Sequence, residues 1–206
     1  MKNFWHNSIT EKSFSALQEL RRDFDFTLIG GWAVYLYTKA LKSKDIDFVC
    51  DFGTLGKLRE KFDLVKNQRL RKYEIKADGF DIDIYVPYYS ELGLPLEDVL
   101  LNYEIIDGFK VPKKEFLLAM KIFTYRQRKG NIKGEKDKID ILSILNFTDI
   151  DWRIMGNIIK KYNLLFAREE ILEIMKSINE IKELGLNVKQ TAILKKRIVK
   201  TLKSNL

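Results

Sequence analysis

Residues 28–50 read LIGGWAVYLYTKALKSKDIDFVC, and no other stretch constrains the fold as strongly. FTLIG is a short apolar run of strand length, and it ends in the adjacent pair Gly30-Gly31. GWAVYLYTKAL then reads as a helix starting at the glycines, and IDFVC reads as a second strand. Strand side chains alternate between faces, so Asp45 and Asp47 share one face while Ile46, Phe48 and Cys50 turn into the core. Glycines at a strand-to-helix turn leave backbone N–H groups at the helix N-terminus open to an approaching phosphate. Two carboxylates on one strand face repel each other unless a cation lies between them. The ion their oxygens suit is a hard divalent one, Mg2+ or Mn2+.

A second strand repeats the pattern. In FDIDIYV, Asp81 and Asp83 also share a face. Set beside IDFVC, this strand would add a third carboxylate, with Asp83 the candidate and Asp81 the alternative. Three acidic groups can hold two metal ions, one activating an attacking oxygen and one holding a triphosphate and stabilising the leaving group. The predicted metal ligands are therefore Asp45, Asp47 and Asp83.

The remaining chain divides by periodicity. SITEKSFSALQELRRDF reads as a helix that Ser8 or Thr10 could cap, and TLGKLREKF as a short one. RLRKYEIKADGFDIDIYVPYY reads as a hairpin turning at Asp78-Gly79. PLEDVLLN is a short helix, and YEIIDGFKVP an edge strand or small hairpin. After Pro112 apolar residues recur at helical spacing: Phe116, Ala119, Met120 and Phe123, then Ile141, Leu142 and Leu145, then Ile171, Ile174 and Met175. The expected fold class is α+β, with an α/β domain over residues 1–110 and four or five helices over 111–206.

Composition narrows the functional classes. With 46% hydrophobic and 32% charged residues the chain is globular, and 206 residues suffice for a sizeable core. No apolar run reaches the length of a membrane span, and MKNFWHNSITEKSF lacks a signal peptide's apolar stretch, so the expected location is cytoplasmic. One cysteine excludes an intramolecular disulfide framework, and Cys50 is expected at the end of a buried strand. His6 is the single histidine, which argues against Ser-His or Cys-His catalysis and against a zinc site. Trp5, Trp32 and Trp152 read as core residues rather than stacking platforms. The net charge is +8, and residues 110–140 hold ten Lys or Arg against four Asp or Glu. Such a stretch attracts polyanions. Lys121, Tyr125 and Arg128 share a helix face at i, i+4 and i+7, and that face could present cations to a triphosphate.

IGGWAV, with thirteen residues between Gly31 and Asp45, then DIDF and the later IDIYVP, resembles the DNA polymerase beta-like nucleotidyltransferase superfamily. That resemblance implies a nucleotidyltransferase-type mixed sheet flanked by helices, followed by a helical bundle. It also implies transfer of a nucleoside monophosphate from an NTP to a hydroxyl with two Mg2+ ions. VPKKEFLLAMK followed by KDKIDILSIL is similar to the later motifs of the AbiEii-type toxin nucleotidyltransferases, where one helix supplies a lysine and the next an acidic pair. On that match Lys121, Asp137 and Asp140 join Asp45, Asp47 and Asp83 as catalytic candidates. Gly30, Gly31, Lys44, Lys121 and Arg128 become NTP-binding candidates. Trp32 departs from the pattern, since a small or hydroxyl residue is more common there, and the KGNIKGEK loop between the two helices is short.

Three functions follow from the resemblance. One is a toxin-like enzyme that adds nucleotides to an RNA end such as that of tRNA, with a cognate antitoxin protein as partner. In it Arg126, Arg128, Lys129, Lys133 and Lys136 would meet backbone phosphates. The second is a nucleotidyltransferase acting on a small aminoglycoside-like molecule or a protein. The third is a non-catalytic RNA-binding component of a toxin–antitoxin pair, which the intact Asp45, Asp47 and Asp83 set disfavours.

Overall fold

The computed structural model describes residues 2–205 of the chain, with side chains over residues 8–204. The side chains of Trp5 and His6 lie outside the described residues. The chain divides after Lys113 into two compact units. Residue 110, where the sequence reading divides the chain, lies inside a strand.

The first unit is a mixed sheet with helices. Its elements are α1 (Lys2–Asp23), β1 (Thr27–Ile29), α2 (Gly30–Thr38), β2 (Ile46–Val49), α3 (Phe52–Lys61), β3 (Val65–Asn67), β4 (Lys72–Lys76), β5 (Asp81–Tyr85), α4 (Leu96–Leu101), β6 (Tyr103–Ile106) and β7 (Phe109–Pro112). The seven described strands form one sheet in the order β3-β4-β5-β2-β1-β7-β6. β2 runs parallel to β5 and β1 parallel to β7, and the other pairs are antiparallel. Ile46, Phe48 and Ile84 are fully buried, as alternation requires, and Phe26 stacks on Phe48 at 4.5 Å. Trp32 is core: its indole N–H donates to Ser13 Oγ at 3.0 Å, tying α2 to α1.

α1 begins at Lys2, so Ser8 and Thr10 lie within the helix rather than capping it, and two further features of this unit differ from the sequence reading. The first is β3, whose Val65 is half exposed; an edge strand this polar carries no period-two signal. The second is the start of α3, where Asp51 caps the helix by accepting the Thr54 N–H at 2.6 Å. That bond holds the Asp51 carboxyl below its ordinary pKa. Cys50 is buried between β2 and this cap, and desolvation followed by the Asp51 charge pushes its thiol up to about 12, which removes thiolate chemistry.

The second unit contains α5 (Lys114–Arg128), α6 (Ile132–Phe147), α7 (Trp152–Lys161), α8 (Ala167–Ser177) and α9 (Val188–Asn205), with a 3-10 turn at Lys182–Leu184. Leu117, Leu118, Ile122, Ile141, Leu142, Ile171 and Ile174 form its core; Phe123 is half-buried. Trp152 is half-buried at the start of α7. KGNIKGEK contributes mostly helix. Asn131 caps α6 by accepting the Gly134 N–H at 2.9 Å, which leaves only residues 129–131 as a connection. No helix among the described residues is long and apolar enough to cross a membrane.

Candidate active site

The carboxylates of the first unit gather because of strand register. β2 and β5 pair Asp47 directly with Asp83, and β4 brings Glu74 opposite Asp83 on its other side. β1 places Ile29 opposite Asp47, so Gly30, at the start of α2, lies against the Asp47 carboxylate. Gly30 has φ +67, and a Cβ built there would stand 2.2 Å from Asp47 Oδ2. Glycine is required at this position on both counts. The N-cap position of α2 is Ile29, which offers no side-chain hydrogen bond to the helix start.

Asp83, not Asp81, stands beside Asp47. Asp81 sits in register with Lys76 and pairs with it at 3.1 Å, while its backbone N–H donates to Asp45 Oδ1 at 3.1 Å. Asp45 therefore fastens β5 to the segment entering β2. Lys44 is exposed.

Lys72 and Glu74 belong to this face and were missed in the sequence reading. The Lys72 ammonium lies 2.5 Å from Asp83 Oδ2 and 2.9 Å from Glu74 Oε1. Asn67 Nδ2 donates to the same Glu74 oxygen at 3.0 Å. Their signal was present: with Asp78-Gly79 as a two-residue turn, counting back along both strands puts Glu74 opposite Asp83.

Burial and charge act against each other here. Burial, then the Asp47 charge, push the Asp83 carboxyl up to about 6, although Lys72 pulls it down. Burial alone would lower Lys72 and raise Glu74, yet hydrogen bonds reverse both shifts: Asp83 first and then Glu74 raise Lys72, while Lys72 and Asn67 lower Glu74. Both pKa values of the Lys72–Asp83 pair are thus raised, which favours the charged ammonium and disfavours the charged carboxylate. Their separate causes reconcile them, because Asp83 is opposed by Asp47 while Lys72 has two acidic partners.

Asp83 Oδ1 is buried and accepts no hydrogen bond from any described residue. An unsatisfied carboxylate oxygen one strand from a second carboxylate fits a divalent cation. Among the described residues no three Asp, Glu, His or Cys side chains converge at metal-binding spacing.

The helical unit brings together its own predicted residues. Lys121, on α5, is buried and meets Asp137 Oδ1 at 3.2 Å and Asp140 Oδ2 at 2.6 Å, both on α6. Arg128 Nη1 reaches Asp137 Oδ2 at 3.4 Å. Asp137 and Asp140 lie one turn apart, beyond the first turn of α6, and are buried rather than capping it. Lys129 is held by Glu170 at 3.1 Å and by Glu173, and Arg126 lies over the Phe166 ring at 4.2 Å.

The chain aligns with the solved structure of a protein from H. pylori described as a putative nucleotidyltransferase, with TM-score 0.51, 17% identity and 95% of each chain covered. An antigenic nucleotidyltransferase-like protein from Paracoccidioides brasiliensis aligns with TM-score 0.46 and 17% identity over 87% of this chain and 97% of that one. JHP933 from Helicobacter pylori aligns with TM-score 0.48 and 17% identity over 94% and 92%. No family model and no curated protein matches the sequence. At 17% identity the first alignment shows that the two chains share a fold.

Proposed function

We propose that this chain is a metal-dependent nucleotidyltransferase that moves a nucleoside monophosphate from an NTP to an acceptor hydroxyl. The observation that carries the reading is the Gly30–Asp47–Asp83 row, in which an uncapped helix N-terminus adjoins two carboxylates on neighbouring parallel strands. The N–H groups at the start of α2 would bind triphosphate oxygens, with the helix dipole favouring their charge. Asp47 and Asp83 would hold the divalent ion, which when bound supplies charge neutralisation and Lewis acidity at the transferring phosphorus. Asp45 keeps β5 in register, so that Asp83 stays beside Asp47. In the helical unit Asp137 and Asp140 fix the Lys121 ammonium in one position.

RNA is the proposed acceptor, with an AbiEii-type toxin role in the cytoplasm and an antitoxin as partner. The supporting features are the excess of Lys and Arg over residues 110–140, the exposed Arg126 and Lys133, and the motif likeness around Lys121. Asp47→Asn tests the assignment. It should abolish transfer and also the rise in Tm that Mg2+ gives the wild-type protein, while the metal-free protein stays folded. Full activity in this variant would remove Asp47 from the site.

A further inference from the structure

Lys72 is the only buried Lys or Arg among the described residues of the first unit. Its position is fixed from three sides: Asp83 at 2.5 Å, Glu74 at 2.9 Å, and Asn67 behind Glu74. An exposed lysine would be free to leave when a metal arrives. This one can leave only by breaking two buried ion pairs and stranding Glu74 without its principal counter-charge. The side of Asp83 facing Lys72 is therefore already occupied by a cation, and only Oδ1 is left without a partner.

We propose that Lys72 is a built-in cation that takes the place of one of two divalent ions, so that this face binds a single divalent ion between Asp47 and Asp83. The inference rests on the metal-dependent reading above and narrows it. A divalent ion on Asp83 Oδ1 lies across one carboxylate from the ammonium and is repelled by it, and a second ion nearby would be repelled more strongly. Lys72 thus sets both the number of ions and their affinity, and acts as a positioning residue through Asp83.

Crystals of the wild-type protein soaked with Mn2+ and a non-hydrolysable NTP test this directly. The expected result is one anomalous peak at Asp47 and Asp83 with the Lys72 ammonium still on Asp83. Two peaks, or Lys72 swung away, would overturn the inference and leave the metal-dependent reading standing. No manganese at Asp47 would overturn both. In solution, Mn2+ titration followed by EPR should show Lys72→Met binding the ion at least about tenfold more tightly than wild type, through lost repulsion. Lys72→Arg, which keeps the charge, should stay within about twofold of wild type. Equal affinity in wild type and Lys72→Met would also count against the inference. Should Lys72→Met fail to fold, the wild-type crystal still decides.

Discussion

At Gly30 the backbone and a carboxylate compete for one space. Any L side chain there meets a left-handed φ of +67 and the Asp47 carboxylate at once. Gly30→Ala should therefore destabilise the protein by about 1–3 kcal/mol in urea denaturation. It should also displace Asp47 and blunt the Mg2+-induced rise in Tm. Asp83 gives a pH signature. Its carboxyl, raised from 3.8 to about 6 by burial and then by Asp47, holds its proton more tightly in the folded state than in the unfolded chain. The ionised group thus subtracts stability above pH 6, and this cost fades as pH falls through 6 towards 4. Lys72 and Glu74 face Asp83, and their hydrogen bonds raise the pKa of the first and lower that of the second. In EDTA, the wild-type protein should gain on the order of 2 kcal/mol relative to Asp83→Asn between pH 7 and pH 4. A difference that is flat with pH, or slopes the other way, would contradict this account of the site.

The α5–α6 hairpin shows which parts of an element can be read from sequence. The apolar spacing of both helices was legible, and so was the pairing of a lysine with two acids one turn apart. The start of α6 was not, because KGNIKG carries two glycines that ordinarily mark a loop. The second is helical: a Cβ on Gly134 would fall 2.2 Å from the Arg128 carbonyl oxygen, so the close turn itself demands glycine. Likewise Lys121 could have been an ordinary surface lysine until its burial placed it between Asp137 and Asp140. Removing that ammonium takes the Lys121 counter-charge from two buried carboxylates and leaves Asp137 with Arg128 alone. Lys121→Met should cost about 3–5 kcal/mol, and adding Asp137→Asn and Asp140→Asn should restore much of it. Denaturant melts of the single and triple variants measure both; a cost below about 0.5 kcal/mol would be that of a surface residue.

Across the whole molecule, the strand–glycine–helix–strand order and the Asp45, Asp47 and Asp83 positions were legible because alternation and spacing are local properties of the chain. Lys72 and Glu74 were harder to see, since their role depends on cross-strand register. Charge was legible only as a sum. Lys129 and Arg128 are engaged by Glu170, Glu173 and Asp137, so the basic stretch offers a polyanion fewer cations than its composition suggests. If RNA is the acceptor, Arg126→Ala and Lys133→Ala should each reduce the slope of log affinity against log salt by roughly 0.7, with Lys129→Ala changing it less. Nucleotidyl transfer itself is read by a labelling assay. The purified protein is incubated with each α-32P-labelled NTP, Mg2+ and total RNA, and the labelled RNA is resolved on a gel. The account predicts label on RNA with at least one NTP for the wild-type protein and none for Asp47→Asn. Label that persists undiminished in Asp47→Asn, or no transfer from any NTP to RNA or to an aminoglycoside or protein supplied in its place, would contradict it.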